Sequence, residues 1–78
     1  MNLNEILNLY GEEDLLKADG FDDAVIGIDP NTMRLIYSRD KMVEILSKEM
    51  DEDEAIEYLE FNTYCAYVGE KTPIYAYV

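Results

Sequence analysis

Ala24-Val25-Ile26-Gly27-Ile28, then Asp29-Pro30-Asn31-Thr32, then Met33-Arg34-Leu35-Ile36-Tyr37: two short apolar runs flank a cluster of turn formers. Both runs are rich in residues that suit a pleated, half-buried surface, and Pro30 presets φ for a tight connection, so the stretch predicts a β-hairpin. Arg34 interrupts the second run as an outward-facing residue would. Gly27 inside the first marks a β-bulge or a close backbone approach. At Ser38 the hydrophobic period changes to 3.6. Met42, Val43, Ile45, Leu46 and Met50 then line one face, with Ser38 as N-cap and Asp40 in the first turn where the helix dipole favours an acid.

Asp51-Glu52-Asp53-Glu54 opens a second helix, because an N-cap Asp followed three residues later by Glu has the capping-box spacing, and Ala55, Ile56, Leu59 and Asn62 follow helical spacing. The two helices read as an αα-hairpin, a single kinked helix being the alternative. Upstream, Leu3, Ile6, Leu7 and Tyr10 lie between Asn2, a good N-cap, and Gly11, a helix terminator, which predicts a helix over 3–10. The acidic segment 12–20 reads as an irregular connection that pins Leu15 and Leu16 to the core. Downstream, Gly69-Glu70 turns the chain and Ile74-Tyr75-Ala76-Tyr77-Val78 reads as a last strand, with Pro73 at its first position. The expected fold class is α+β: an N-terminal helix, a β-hairpin, an αα-hairpin and a C-terminal strand in a small antiparallel sheet, within one domain spanning 1–78.

A chain of 78 residues buries only about 60 to 65% of the surface its unfolded form exposes, so partner or oligomer contacts carry weight in its stability. Eighteen Asp and Glu against six Lys and Arg leave a net charge of −12, with no histidine. Direct binding to nucleic acid draws its affinity from Lys and Arg neutralising phosphates, and an anionic membrane selects the same residues; both are disfavoured. The partner this charge suits is basic, for instance a nucleic-acid-binding protein. The same charge also serves plain solubility. One cysteine, Cys65, makes no intrachain disulfide and reads as structural, which fits a reducing cytoplasm. No apolar run is long enough to span a membrane, and the first residues lack the charge and apolar core of a signal peptide, so a cytoplasmic location is expected.

Without histidine the zinc motifs, the Ser-His-Asp and Cys-His arrangements and histidine acid-base chemistry are all missing. The four glycines (11, 20, 27 and 69) are single and far apart, so no phosphate-cradling loop exists. The run 51–54 lacks the central glycine and alternating oxygen ligands of a calcium loop. These features predict a protein that is not an enzyme and needs no cofactor and no metal.

Two features point to binding. From Glu49 to Glu60 seven of twelve residues are acidic, and Asp53, Glu57 and Glu60 share a helix face at i, i+4 and i+7. Like charges at that spacing cost an isolated helix a few tenths of a kcal/mol, which solvation or a cationic partner offsets. A second group (Glu12, Glu13, Asp14, Asp19, Asp22 and Asp23) would, if folding joined the two, extend a negative surface of the kind that stands in for phosphates. Of seven tyrosines, Tyr64, Tyr67, Tyr75 and Tyr77 fall near the end of the chain. Strand alternation puts Tyr75 and Tyr77 on one face, and exposed tyrosine beside acid makes an amphipathic contact surface. In Gly69-Glu70-Lys71-Thr72-Pro73 a turn feeding the last strand competes with a recognition loop offering Glu70, Lys71 and Thr72. The candidate partner-binding residues are therefore Asp53, Glu57, Glu60, Tyr64, Tyr75, Tyr77 and Glu70.

Phe21-Asp22-Asp23-Ala24-Val25-Ile26-Gly27-Ile28, Lys41-Met42-Val43-Glu44-Ile45-Leu46, Asp53-Glu54-Ala55-Ile56-Glu57-Tyr58, Phe61-Asn62 and Ala66-Tyr67-Val68-Gly69-Glu70-Lys71-Thr72-Pro73 resemble a family of short uncharacterised proteins encoded by tailed bacteriophages, over nearly the whole chain from Phe21 on. The resemblance implies a phage origin and a cytosolic life in an infected bacterium. It carries no functional residues. By analogy with small acidic phage proteins, the expected role is to bind and inhibit or retune a host protein, such as a restriction or CRISPR effector. A self-assembling or virion-accessory module, acting as a homo-oligomer through a strand edge, and a small-molecule sequestering protein are the alternatives.

Overall fold

The computed structural model describes residues 1–11 and 15–78. Its elements run α1 (Leu3–Tyr10), a single 3-10 turn (Asp22–Ala24), β1 (Val25–Asp29), β2 (Arg34–Ser38), α2 (Arg39–Leu46), α3 (Glu52–Asn62) and β3 (Ile74–Ala76). The fold is α+β, with three helices and a three-stranded mixed sheet in the order β1-β2-β3.

α1 begins at Asn2 with a full capping box: the Glu5 N–H donates to Asn2 Oδ1 at 2.9 Å, and the Asn2 N–H donates to Glu5 Oε1 at 3.2 Å. It stops at Gly11, whose φ of +80° suits glycine. The hairpin forms where the turn residues predict it. The Asn31 N–H donates to Asp29 Oδ1 at 3.0 Å, and Met33 leaves the turn at φ +55°, a left-handed conformation unusual for its type. Pairing is antiparallel, with a bulge between Val25 and Gly27. The bulge accounts for Gly27. No backbone crowds it, because a Cβ there would meet only the tip of Ile36, at 3.8 Å.

The third strand departs from expectation. β3 pairs parallel to β2, in the register Ile36↔Ile74, Tyr37↔Tyr75 and Ser38↔Ala76. The chain between them runs through α2 and α3, a crossover long enough to return it to the same end of the sheet, which a tight turn cannot do. α2 and α3 are separate helices packed together, as an αα pair rather than one kinked helix. Asp51 sits at the N-cap of α3 but makes no side-chain capping bond. A reciprocal bond with Glu54 would bring two anions together, which a Ser or Thr cap avoids.

Successive residues of β2 alternate, Leu35 and Tyr37 being fully buried while Arg34 and Ile36 lie between. Leu3 and Ile6 of α1, Met42 of α2 and Leu59 of α3 join those two in one core. Of the leucine pair in the connection, Leu15 is in that core and Leu16 is exposed, so only one of the two is pinned there. Glu12, Glu13 and Asp14 lie outside the described residues. Among the described residues no helix is long and apolar enough to cross a membrane.

Candidate functional site

Ser38 ends β2 and caps α2 at once. Its Oγ accepts from the Lys41 N–H at 3.3 Å and donates to the Val78 carbonyl at 3.1 Å, so the start of α2 is tied to the chain following β3. Arg39, the first helical residue, is thereby fixed beside that chain. Its Nε donates to the Tyr75 carbonyl at 3.0 Å and its Nη1 to the Tyr77 hydroxyl at 3.2 Å. The guanidinium carbon lies 4.1 Å from the centre of the Tyr64 ring and 4.8 Å from that of Tyr77, within cation–π range of both.

Behind Arg39 the tyrosines continue inward. Tyr64 packs on Tyr75 (5.2 Å between ring centres), and Tyr75 packs on the fully buried Tyr37 (5.7 Å). Burial pushes the Tyr64 hydroxyl pKa up, against the opposing field of Arg39, and burial likewise pushes up that of Tyr75. Tyr64 Oη is buried without a hydrogen-bond partner.

Arg39, Tyr64 and Tyr77 form one end of a cleft of about 580 Å³ between α2 and α3. Its walls are i, i+4 rows: Arg39-Val43-Ser47 and Asp40-Glu44-Lys48 from α2 and the turn that follows it, and Glu52-Ile56-Glu60 from α3. A shallower groove on the other flank of α3 is lined by Met50, Glu54, Glu57, Tyr58, Phe61 and Asn62. Phe61 is 74% exposed there.

The structure distributes the expected site residues unevenly. Glu60, Tyr64 and Tyr77 meet at the cleft. Asp53 and Glu57 stand exposed on the ridge of α3 opposite its buried Ala55 and Leu59, Glu57 bordering the shallow groove. Tyr75 is half-buried: its parallel register beside Tyr37 turns its ring against the core. Glu70 is exposed on a turn held by its neighbours, where Thr72 Oγ1 accepts from the Val68 N–H and donates to the Gly69 carbonyl. Those bonds give the segment a structural role, with Glu70 outside both grooves. Cys65 is exposed rather than packed in a core, because it follows the end of α3 instead of lying on its inner face.

Of the first acidic group, Asp22 and Asp23 line a hollow beside Asn2 and Leu3, and only Asp19 meets a member of the second. Asp19 and Glu49 line one groove together with Phe21, Ile45, Leu46 and Tyr58. Arg39, Val43 and Ile56 were absent from the sequence-based candidates, although the i, i+4 recurrence of Glu52-Ile56-Glu60 was a usable signal. Among the described residues no three His, Cys, Asp or Glu side chains converge as metal ligands do. Comparison with protein-family models, with curated proteins and with solved structures found no match.

Proposed function

We propose that this chain is a non-enzymatic binding protein of phage origin that docks on a basic, nucleic-acid-binding host protein in the bacterial cytoplasm and inhibits or retunes it. The observation that carries the reading is the joining of acid and exposed aromatic surface around α3. Asp53, Glu57 and Glu60 run along the helix, and Tyr58, Phe61, Tyr67 and Tyr77 are exposed on it or on the chain that follows. Asp19 and Glu49 carry the negative surface toward the opening segment. Charge of one sign steers a basic partner and repels competitors, while rigid aromatics supply contact area at little ordering cost. The absence of histidine from the sequence argues against the commonest acid-base chemistry.

A self-assembling module would use an outer edge of the sheet, five residues on β1 or three on β3, against the repulsion between two copies of net charge −12. The docking reading is therefore preferred.

A tagged chain incubated with nuclease-treated bacterial lysate should retain a stoichiometric nucleic-acid-binding protein at low salt and release it at high salt. The triple variant Asp53→Lys, Glu57→Lys, Glu60→Lys should retain none of it. Unchanged retention by that variant refutes the reading, and so does retention indifferent to salt.

A further inference from the structure

We infer that the cleft between α2 and α3 is the anchor point for a basic segment of the partner, taking the aliphatic stem of a lysine or arginine against Val43 and Ile56 and its cationic head among Asp40, Glu44, Glu52 and Glu60. The inference rests on the binding role proposed above and specifies where and how that role is exercised.

At about 580 Å³ the cleft has the size of a ligand site rather than of a surface dimple. Its floor is apolar: Val43 is half-buried and Ile56 is 38% exposed, which leaves methyl groups for a methylene chain to cover. Its charge is lopsided. Four carboxylates face two cations, Arg39 and Lys48, and Arg39 is already committed to the two tyrosine rings, the Tyr75 carbonyl and the Tyr77 hydroxyl. All four carboxylates are exposed at the cleft.

This combination selects its occupant by charge. A phosphate chain is repelled, and a second copy of the protein brings another net charge of −12. A purely apolar side chain would cover the floor and leave the carboxylates to be desolvated without a partner. A long-stemmed cation satisfies both parts, its methylenes on the floor and its head at the rim. Because Arg39 occupies the space between Tyr64 and Tyr77, recognition runs through stem and charge and not through an aromatic cage.

Free polyamines share this chemistry, so the test separates the two sources. The purified chain, with ¹³C-labelled Val and Ile methyl groups, is titrated with a blocked peptide carrying one lysine and one arginine, and separately with spermidine. The peptide should shift the Val43 and Ile56 methyl signals saturably. Glu44→Gln with Glu60→Gln should weaken it at least about tenfold, and Glu5→Gln with Asp29→Asn, which removes equal charge outside both acidic groups while keeping each side-chain hydrogen-bond acceptor, should change it by less than about twofold. Equal weakening by both pairs overturns the proposal, since only diffuse charge would then be at work. Shifts confined to methyl groups other than Val43 and Ile56 overturn it too, as does spermidine binding as tightly as the peptide, which would make the ligand a free polyamine. Salt-sensitive retention of a host protein undiminished in the Glu44→Gln, Glu60→Gln variant overturns the cleft while leaving the broader binding role standing. A cleft that binds the peptide in a chain that retains no host protein supports the anchor chemistry and refutes the broader role.

Discussion

Replacing Tyr37 with Phe should reverse the sign of its effect on stability as the solution becomes alkaline. Tyr37 is fully buried, and its hydroxyl accepts the Ala18 N–H at 2.8 Å. Phe keeps the ring and orphans that donor, so at neutral pH the variant should be less stable by about 1 kcal/mol. Burial pushes the Tyr37 pKa up to about 12; the Ala18 bond opposes the shift, and Tyr75, Asp22 and Asp19 add to it. In the unfolded chain a tyrosine ionises near about pH 10. Between those values the unfolded chain has released a proton that the folded chain keeps, so the stabilisation is full below about pH 10 and drains away as pH rises toward about 12. Two units correspond to roughly 2.7 kcal/mol, of which about half is gone by pH 11. The two curves should therefore cross near about pH 11, with the Phe variant the more stable above it. Urea unfolding followed by far-ultraviolet circular dichroism from about pH 8 to about pH 12 measures the difference directly, and titration of groups common to both proteins cancels. A difference that stays constant over that range would refute the reasoning, because Tyr37 would then titrate alike folded and unfolded.

Leu59→Ala should cost about 2 to 5 kcal/mol in the same assay, since Leu59 is fully buried and fastens α3 to the core; against a total of about 5 to 15 kcal/mol, the variant should be the least stable of those named here. Asn2→Ala removes the acceptor of the Glu5 N–H and should lower stability by about 1 kcal/mol, seen as a lower urea midpoint with an unchanged slope. Gly27→Ala should be neutral or stabilising, within about 1 kcal/mol, because a Cβ there would meet only the tip of Ile36 at an ordinary contact distance of 3.8 Å and the unfolded chain loses freedom; a large loss of thermal stability would show that the bulge itself requires glycine.

What the amino-acid sequence reveals of this fold follows the range of the interactions involved. Asn2 and Gly11 bracket α1, Ser38 caps α2, and Asp29 to Thr32 turns the hairpin, all through contacts within a few residues. The parallel docking of β3 depends on where α2 and α3 deliver the chain, and no local pattern in Ile74-Tyr75-Ala76 records it. The burial of Tyr75 follows from that docking and was equally hidden. The helical period sets Asp53, Glu57 and Glu60 on the side of α3 away from Ala55 and Leu59, but it does not show that Glu60 lines the cleft while Glu57 borders the groove on the other flank. The cleft was missed for a different reason: hydrophobic periodicity identifies the face toward the core, whereas Val43 and Ile56 lie on flanks that become a floor only when two helices pack.

The parallel strand also dictates an order of assembly. The hairpin closes over a few residues, but bonds joining β2 to the approach to β3, such as Arg34 to Thr72, span 38 residues, so this closure carries the larger entropy cost and belongs to the slower part of folding. With three residues in its ladder, β3 is a natural unit for partial opening. Opening would carry the Tyr75 carbonyl and Tyr77 away from Arg39 and leave the guanidinium on Tyr64 alone, freer to turn toward the carboxylates of the cleft. A ligand that prefers the closed arrangement would then hold the strand shut, linking occupancy of the cleft to hydrogen-exchange protection of the sheet edge.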